Sequence, residues 1–227
     1  MIKRLAIAAL AFSVTLAPAS AFAQEASAAP AEQQQPSAWV DPDLSHDPDN
    51  ILLLDLSNGQ RVAIRLKPDW APHHVERVKE LTRQGFYDGV IFHRVIDGFM
   101  AQTGDPTGTG RGGSELPDLE PEFNKFPHVR GTVSMARAAA ENSANSQFFI
   151  VFYPRFALDR TYTNFGRVIS GMDAVDAIHR GEPPAEPTYI VQASIASDNK
   201  PQKFPDAGAG PRPILSGQQP SSSPQGG

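Results

Sequence analysis

Between Ile51 and Ala196 the chain breaks into short apolar runs, each a few residues long and closed by Gly, Pro, Asn or Ser. That punctuation constrains the fold more than any other feature, because runs of this length fit strands and leave little room for long helices. Ile51–Leu56 and Arg61–Leu66 are joined through Ser57-Asn58-Gly59-Gln60. Asn-Gly between two β-type runs is a hairpin signal. Further runs follow at Ile91–Ile96, Phe99–Thr103, Gly131–Ala136, Phe148–Phe152, Thr163–Ile169 and Tyr189–Ala196. Two stretches carry a helical period. In Pro68–Gly85, Val75, Val78 and Leu81 recur on one face, Pro72 suits the first turn and Gly85 the close. Gly171–His179 is shorter. Eight strands and two helices with glycine-rich loops predict a mainly β domain, either a closed barrel or a sandwich. The 13 phenylalanines concentrate between Phe86 and Phe165, which marks the core.

The flanks differ in kind. Residues 1–23 read as a secretory signal peptide: Lys3 and Arg4 precede a Leu5–Leu16 apolar run, and Ala21-Phe22-Ala23 offers a small-residue cleavage site. The run is shorter than the roughly 20 residues a bilayer span requires. This predicts export to the periplasm, or secretion, with the mature chain starting at Gln24 and no membrane anchor. Residues 24–49, rich in Ala, Gln, Pro and Asp, read as a flexible linker, and 199–227 as a disordered Pro/Gly/Ser-rich tail, leaving 50–198 as the domain. The net charge is −5, and loss of Lys3 and Arg4 would deepen it. That argues against nucleic acid or an anionic membrane as partner. With no Cys, disulfides are unavailable and core burial must hold the fold.

Several apparent motifs lack their context. Gly108-Thr109-Gly110-Arg111-Gly112-Gly113 fits a dinucleotide fingerprint, but Pro106 precedes it and Pro117 breaks any helix behind it, so a flexible loop is expected. His73 and His74 are adjacent on a helix and are expected to diverge, which disfavours a metal site. Ser134 and Ser146 lack the surroundings of a hydrolase nucleophile. Glu115, Asp118, Glu120 and Glu122 are expected to form a solvated acidic loop rather than a calcium site.

Phe92-His93-Arg94-Val95-Ile96-Asp97-Gly98-Phe99-Met100-Ala101-Gln102-Thr103-Gly104-Asp105 closely resembles the central signature of the cyclophilins. So do Gly131-Thr132-Val133-Ser134-Met135-Ala136, Ser146-Gln147-Phe148-Phe149-Ile150, and Leu158-Asp159 followed by Phe165-Gly166. Four blocks in order are far more specific than one. The resemblance implies a closed eight-stranded antiparallel barrel capped by two helices. It implies a peptidyl-prolyl cis-trans isomerase acting on proline-containing polypeptides, such as unfolded or exported chains, with no metal or other cofactor.

Isomerising an X-Pro bond means crossing an amide barrier of about 18–20 kcal/mol without making or breaking a covalent bond. Such chemistry needs an apolar pocket for the ring, a donor aimed at the twisted amide and a hold on the flanking backbone. By resemblance, Arg94 is the catalytic donor, its guanidinium always charged and fork-shaped. Phe99, Met100, Phe149 and Leu158 match the proline pocket. Phe148 and Phe149 point to opposite faces of one strand, and the family pattern assigns Phe149 to the pocket. Gln102 matches a residue that binds substrate backbone and orients the arginine, with Gln147 beside it. Ala136 and Arg137 match a pair whose backbone groups hold an extended peptide. His93 matches a residue at the site's edge, and a buried, hydrogen-bonded structural histidine is the equal alternative. Ala157 stands where many members carry Trp, with Phe156 near enough to fill part of the space, and Tyr162 stands where they carry His. These departures put cyclosporin sensitivity in question. The rival reading is a non-catalytic peptide-binding module. A monomer is expected, since no long apolar surface repeat is present.

Overall fold

The computed structural model describes residues 36–208 and 210–212. The expected signal peptide (1–23), the first part of the expected linker (24–35), and residue 209 and the end (213–227) of the expected tail lie outside the described residues.

The strands are β1 (Ile51–Leu56), β2 (Arg61–Leu66), β3 (Arg94–Ile96), β4 (Met100–Thr103), β5 (Thr132–Met135), β6 (Phe148–Val151), β7 (Asn164–Ser170) and β8 (Ile190–Ile195). They form one sheet in the order β3-β4-β6-β5-β7-β2-β1-β8, antiparallel at every step. The β1–β2 hairpin turns where Asn-Gly predicts: Gly59 takes a φ of +80°, and Leu56 opposes Gln60 through a 2.9 Å hydrogen bond. Alternation along the strands sends Leu52, Leu54, Val62, Ile64, Val133, Phe148 and Ile150 into one buried core. Tyr87, Phe148 and Phe165 meet there edge to face, with ring centroids 5.5 and 6.2 Å apart.

Two helices cover the core. α1 (Pro72–Arg83) buries Val75, Val78 and Leu81, and α2 (Met172–Asp176) buries Ala174 and Val175. α1 begins four residues later than its pattern predicts, because Lys67–Ala71 is a tight turn in which the Trp70 and Ala71 amides bond the Lys67 carbonyl. Ala71 offers no side-chain cap. The cap comes from Glu122, whose two carboxylate oxygens accept the amides of His73 and His74 at 3.2 and 3.1 Å. Its charge suits the positive end of the helix. Both imidazoles reach the same carboxylate through Nδ1 at 2.7 Å. Glu122 is therefore not part of a solvated loop, and His73 and His74 converge rather than diverge.

The sheet does not close into a barrel; it is an open half-barrel. β3 and β8 end the ladder. The outer edge of β3 is taken by Gly181, which exchanges two backbone hydrogen bonds with Val95. Across the seam lie the bridge from Tyr189 to Ile91, backbone bonds joining Gly89 and Val90 to Ile190 and Phe92 to Thr188, and the Ala193 amide on Asp88. A three-residue β3 cannot pair with both the connector and β8, so the seam stays a bridge.

Residues 36–50, 200–208 and 210–212 pack on this domain. The buried Arg65 guanidinium donates to the carbonyls of Asp41, Asp43, His46 and Asp47 at 2.6–3.2 Å. Trp70 Nε1 donates to the Ser37 carbonyl at 2.9 Å. On the other side the Lys203 amide donates to Asp55, and Arg212 binds the carbonyls of Gly89 and Asp88. A composition that reads as linker and tail thus makes specific contacts over these stretches.

Candidate active site

The register of β3, β4, β6 and β5 sets Arg94, Gln102, Phe149 and Ser134 in one row. The next row on the same face is Ile96, Met100 and Val151. Pleating points both rows away from the main core. Met100, Phe149 and Val151 accordingly form a second apolar cluster, with Ile96, Phe99, Ala136, Leu158 and Tyr162 packed around it. Phe148 lies in the main core and Phe149 in this cluster, as alternation requires. Tyr162 meets Phe149 edge to face at 5.7 Å, and the Arg155 guanidinium lies 4.9 Å from the Phe99 ring centre. Leu158 ends a 3-10 turn, Phe156–Leu158. Phe156 itself is 63% exposed and does not pack on the cluster, so it does not fill the space expected of it.

Arg94 stands beside this cluster, half-exposed. Its Nη1 reaches Gln102 Oε1 at 3.5 Å, and its Nε donates to Glu182 Oε2 at 2.8 Å. Neither bond engages Nη2. Gln102 Nε2 donates to Gln147 Oε1 at 2.9 Å, and Gln147 Nε2 to the Gly112 carbonyl at 2.7 Å. One chain of side chains thus ties the arginine to the glycine-rich loop. Glu182 has no signal in the sequence pattern, because the topology alone brings it across from the α2–β8 connection.

The loop is held, not loose. Asp105, buried, accepts Thr107 N and Oγ1 on one oxygen and the amides of Gly110 and Gly112 on the other, at 2.6–3.1 Å. Burial pushes this carboxyl up, but those donors outweigh it and hold it below the ordinary range. A Cβ on Gly112 would overlap the Asp105 carboxylate. Gly104 has φ +88°, and a Cβ there would strike the Ser146 backbone. That close approach brings the chain after β4 against the backbone leading into β6 at the site's edge.

His93 is a correction. It does not line an open groove edge; the alternative of a buried structural histidine holds, without the expected hydrogen bond. It is buried beneath Gly110, and neither ring nitrogen has a hydrogen-bond partner. Burial is the largest influence on its pKa and lowers it; Asp105 opposes this and the Arg94 charge adds to it. Ala136 and Arg137 follow the end of β5. The Ala136 amide is taken by the Gln147 carbonyl at 2.9 Å, leaving the Ala136 carbonyl and the Arg137 amide unpaired among the described residues. The Arg137 side chain stacks on Tyr162 at 4.9 Å and bonds the Thr161 carbonyl.

Behind the pocket, Asp159 accepts the amide and Nδ1 of His128, both at 2.8 Å, and His128 Nε2 lies 2.8 Å from Ser134 Oγ. The order resembles a nucleophile relay, but Ser134 and His128 are sealed from solvent. The chain instead ties the turn carrying Leu158 to β5. Burial holds His128 below its ordinary pKa, against the pull of Asp159.

A cavity of about 490 Å³ adjoins the pocket, shares Ala136 with it, and is also lined by Gln102 and Gln147. Among the described residues no cluster of His, Cys, Asp and Glu could hold a metal, and no helix is long and apolar enough to cross a membrane.

The family model described as cyclophilin type peptidyl-prolyl cis-trans isomerase/CLD matches residues 52–195. A probable peptidyl-prolyl cis-trans isomerase of Brucella suis is 49% identical over 170 residues, covering 68% of this chain and 86% of the relative. Peptidyl-prolyl cis-trans isomerase B of Bacillus subtilis is 41% identical over 128 residues, covering 56% and 89%. Among solved structures, a cyclophilin from Hirschia baltica superposes with a TM-score of 0.63 at 32% identity, covering 70% of this chain and 78% of that one. A Cryptosporidium parvum cyclophilin type isomerase, solved in the presence of the dipeptide Ala-Pro, gives 0.59 at 28% identity, covering 64% and 98%.

Proposed function

The chain belongs to the cyclophilin-type peptidyl-prolyl cis-trans isomerases, and from that premise we propose that Arg94 is its catalytic donor and the Phe99–Met100–Phe149–Leu158 cluster its proline pocket. One observation carries this reading. The only side chain that is at once permanently charged, half-exposed and in register with Gln102 and Phe149 is Arg94. A proline ring seated against Phe149 and Met100 brings its amide beside the guanidinium. As the amide twists, conjugation is lost and the proline nitrogen regains a lone pair. Nη2 then donates to a nitrogen that is a poor acceptor in either planar state, so the bond strengthens only in the transition state. Gln102 holds Nη1, and the Ala136 carbonyl and Arg137 amide pair with the extended substrate backbone. No covalent intermediate, metal or other cofactor takes part.

The test is the cis-to-trans rate of an Ala-Pro peptide with the wild type, Arg94→Ala and Arg94→Lys. Loss of a charged hydrogen bond made in the transition state costs about 1.5–3 kcal/mol, or roughly ten- to a hundredfold in kcat/KM. Lysine should recover little, lacking the fork. A folded Arg94→Ala protein as fast as wild type would remove Arg94 from the mechanism. A wild type no faster than buffer would leave only a peptide-binding module.

We further infer that the chain is exported and acts as a monomer on proline-containing clients outside the cytoplasm. Residues 1–23 support this by their charge, apolar run and small-residue end. Expression of the whole chain in a Gram-negative host followed by fractionation and N-terminal sequencing checks it. Recovery from the periplasm with Gln24 first is expected; cytoplasmic protein that retains Leu5–Leu16 would refute export.

A further inference from the structure

Isomerisation does not require a C-terminal flank, yet this chain fastens one to the segment that leads to Arg94. Past β8 the Lys203 amide donates to Asp55 Oδ2 at 2.7 Å. The flank then arrives at Gly89. There the Arg212 amide donates to the Gly89 carbonyl at 2.8 Å, and Arg212 Nη2 donates to the Asp88 carbonyl at 2.6 Å. The fit is close: a Cβ on Gly89 would lie 3.1 Å from Arg212 Cβ and 3.2 Å from its amide nitrogen.

The anchor sets how far the rest of the chain has to travel. Gly89 is five residues before Arg94. Extended chain bounds that separation at about 18 Å. Phe149 lies two ladder positions beyond Arg94, across Gln102, which adds about 10 Å. From Arg212, Pro220 is eight residues on and Pro224 twelve. Extended chain of those lengths covers up to roughly 27 and 40 Å. Ser223-Pro224 therefore reaches the pocket of Phe99, Met100, Phe149 and Leu158 with length to spare, and Gln219-Pro220 reaches it on any path shorter than the bound.

Composition agrees with position. Residues 213–227 carry Pro213, Pro220 and Pro224 but no Asp, Glu, Lys, Arg, His or aromatic residue. Nothing in the segment can form an ion pair with Arg94 in place of Glu182, so a proline from it meets the guanidinium as an outside peptide would.

Resting on the isomerase reading above, we infer that residues 213–227 are a built-in ligand of the proline pocket. The ring of Pro220 or Pro224 seats on Met100 and Phe149, its X-Pro bond is turned by Arg94 of the same molecule, and each visit keeps outside substrate from the site. Tethering at Arg212 makes the encounter intramolecular, with an effective concentration in the mM range. A segment whose Kd as a free peptide is also in the mM range then fills the pocket about half of the time and lowers the rate on a dilute outside substrate about twofold.

The test keeps the whole chain. Exchange NMR measures the cis-trans rate at Pro220 and Pro224 in the wild type, in Arg94→Ala and in a synthetic peptide of residues 213–227, with the proteins at two concentrations. Uncatalysed exchange takes tens of seconds or more. In the wild type at least one of the two prolines should exchange about tenfold or more faster than in the peptide, equally at both concentrations, and Arg94→Ala should remove the gain. Pro220→Ala/Pro224→Ala should raise kcat/KM on an Ala-Pro peptide about twofold. Free-peptide exchange at both prolines, or a kcat/KM untouched by the double substitution, overturns the inference, while the rate on the Ala-Pro peptide leaves the isomerase reading standing. A gain that scales with protein concentration overturns it too, since one molecule then serves another. If the Ala-Pro peptide is not accelerated at all, the isomerase reading falls, and docking is read from the amide shifts of Phe149 and Gln102. Shifts that differ between the wild type and the double variant retain the tail as ligand; identical shifts overturn it.

Discussion

Arg94 is held from two sides by groups of different chemistry. Gln102 lies opposite it in the strand register and is legible as soon as the family blocks are aligned. Glu182 lies 88 positions away in sequence and meets Nε at 2.8 Å. Both partners of that ion pair are well exposed, so its net worth is small, about 0.2–1 kcal/mol. Its effect is on orientation: a guanidinium anchored at Nε presents Nη2 in a narrower range of directions. Glu182→Ala is therefore expected to lower kcat about two- to fivefold with KM little changed, far less than Arg94→Ala. Steady-state kinetics on one peptide decide it. A kcat equal to or above wild type would show that the carboxylate restrains the arginine rather than aims it. His93 illustrates the opposite case. Its place beside Arg94 in the chain suggests a role at the site, yet it lies buried, and burial lowers its pKa.

The strands were readable because their alternation and their turn residues agree; each observed strand matches its apolar run to within a residue at either end, except β3, which starts three residues late. The glycine-rich loop and the two flanks were not, since composition alone reports what lacks a core pattern and not what a distant side chain can fix. Asp105 orders the loop through backbone donors, and Arg65 orders residues 41–47 through backbone carbonyls. The contacts of Arg65 leave no pattern in residues 41–47, because any residue supplies the same carbonyl, and the glycines that Asp105 demands read by composition as flexibility. The flanks have an energetic consequence. A chain cut to 50–198 strips four acceptors from Arg65, the Ser37 carbonyl from Trp70 and the Lys203 amide from Asp55. It should be less stable than 36–212 by at least about 1.5–3 kcal/mol, the worth of a hydrogen bond to a charged group. Urea midpoints at equal slope measure this; coincident midpoints would show that the flanks lie on the domain without supporting it.

At the scale of the molecule, three buried histidines share one electrostatic state. His74, His93 and His128 each have a pKa held below the ordinary 6.5, with burial the largest cause. The unfolded chain therefore binds protons that the folded protein does not, below about pH 6.5. Stability present above that pH is lost as the pH falls, by at most about 1.4 kcal/mol per unit for each histidine. Glu122 and Asp105, held below their ordinary values by their donors, add a further loss below about pH 4.5. The melting temperature should hold steady from pH 8 to 7 and fall clearly between pH 6.5 and 5. A flat profile down to pH 5 would mean that these imidazoles titrate normally, and so are hydrated.

The sequence by itself determined the eight strands, the hairpin at Asn58-Gly59, the choice of Phe149 over Phe148 for the outer face, and the family. All follow from local periodicity or from blocks of contiguous residues, which the chain carries in one dimension. Tertiary structure alone decided that the sheet stays open, because Gly181 takes the β3 edge. It decided that Glu122 caps α1, that Glu182 anchors Arg94, and that Arg111 overhangs a cavity next to the pocket. Each of these joins groups far apart in the chain through a contact set by topology, and a contact of that kind has no local sequence signature.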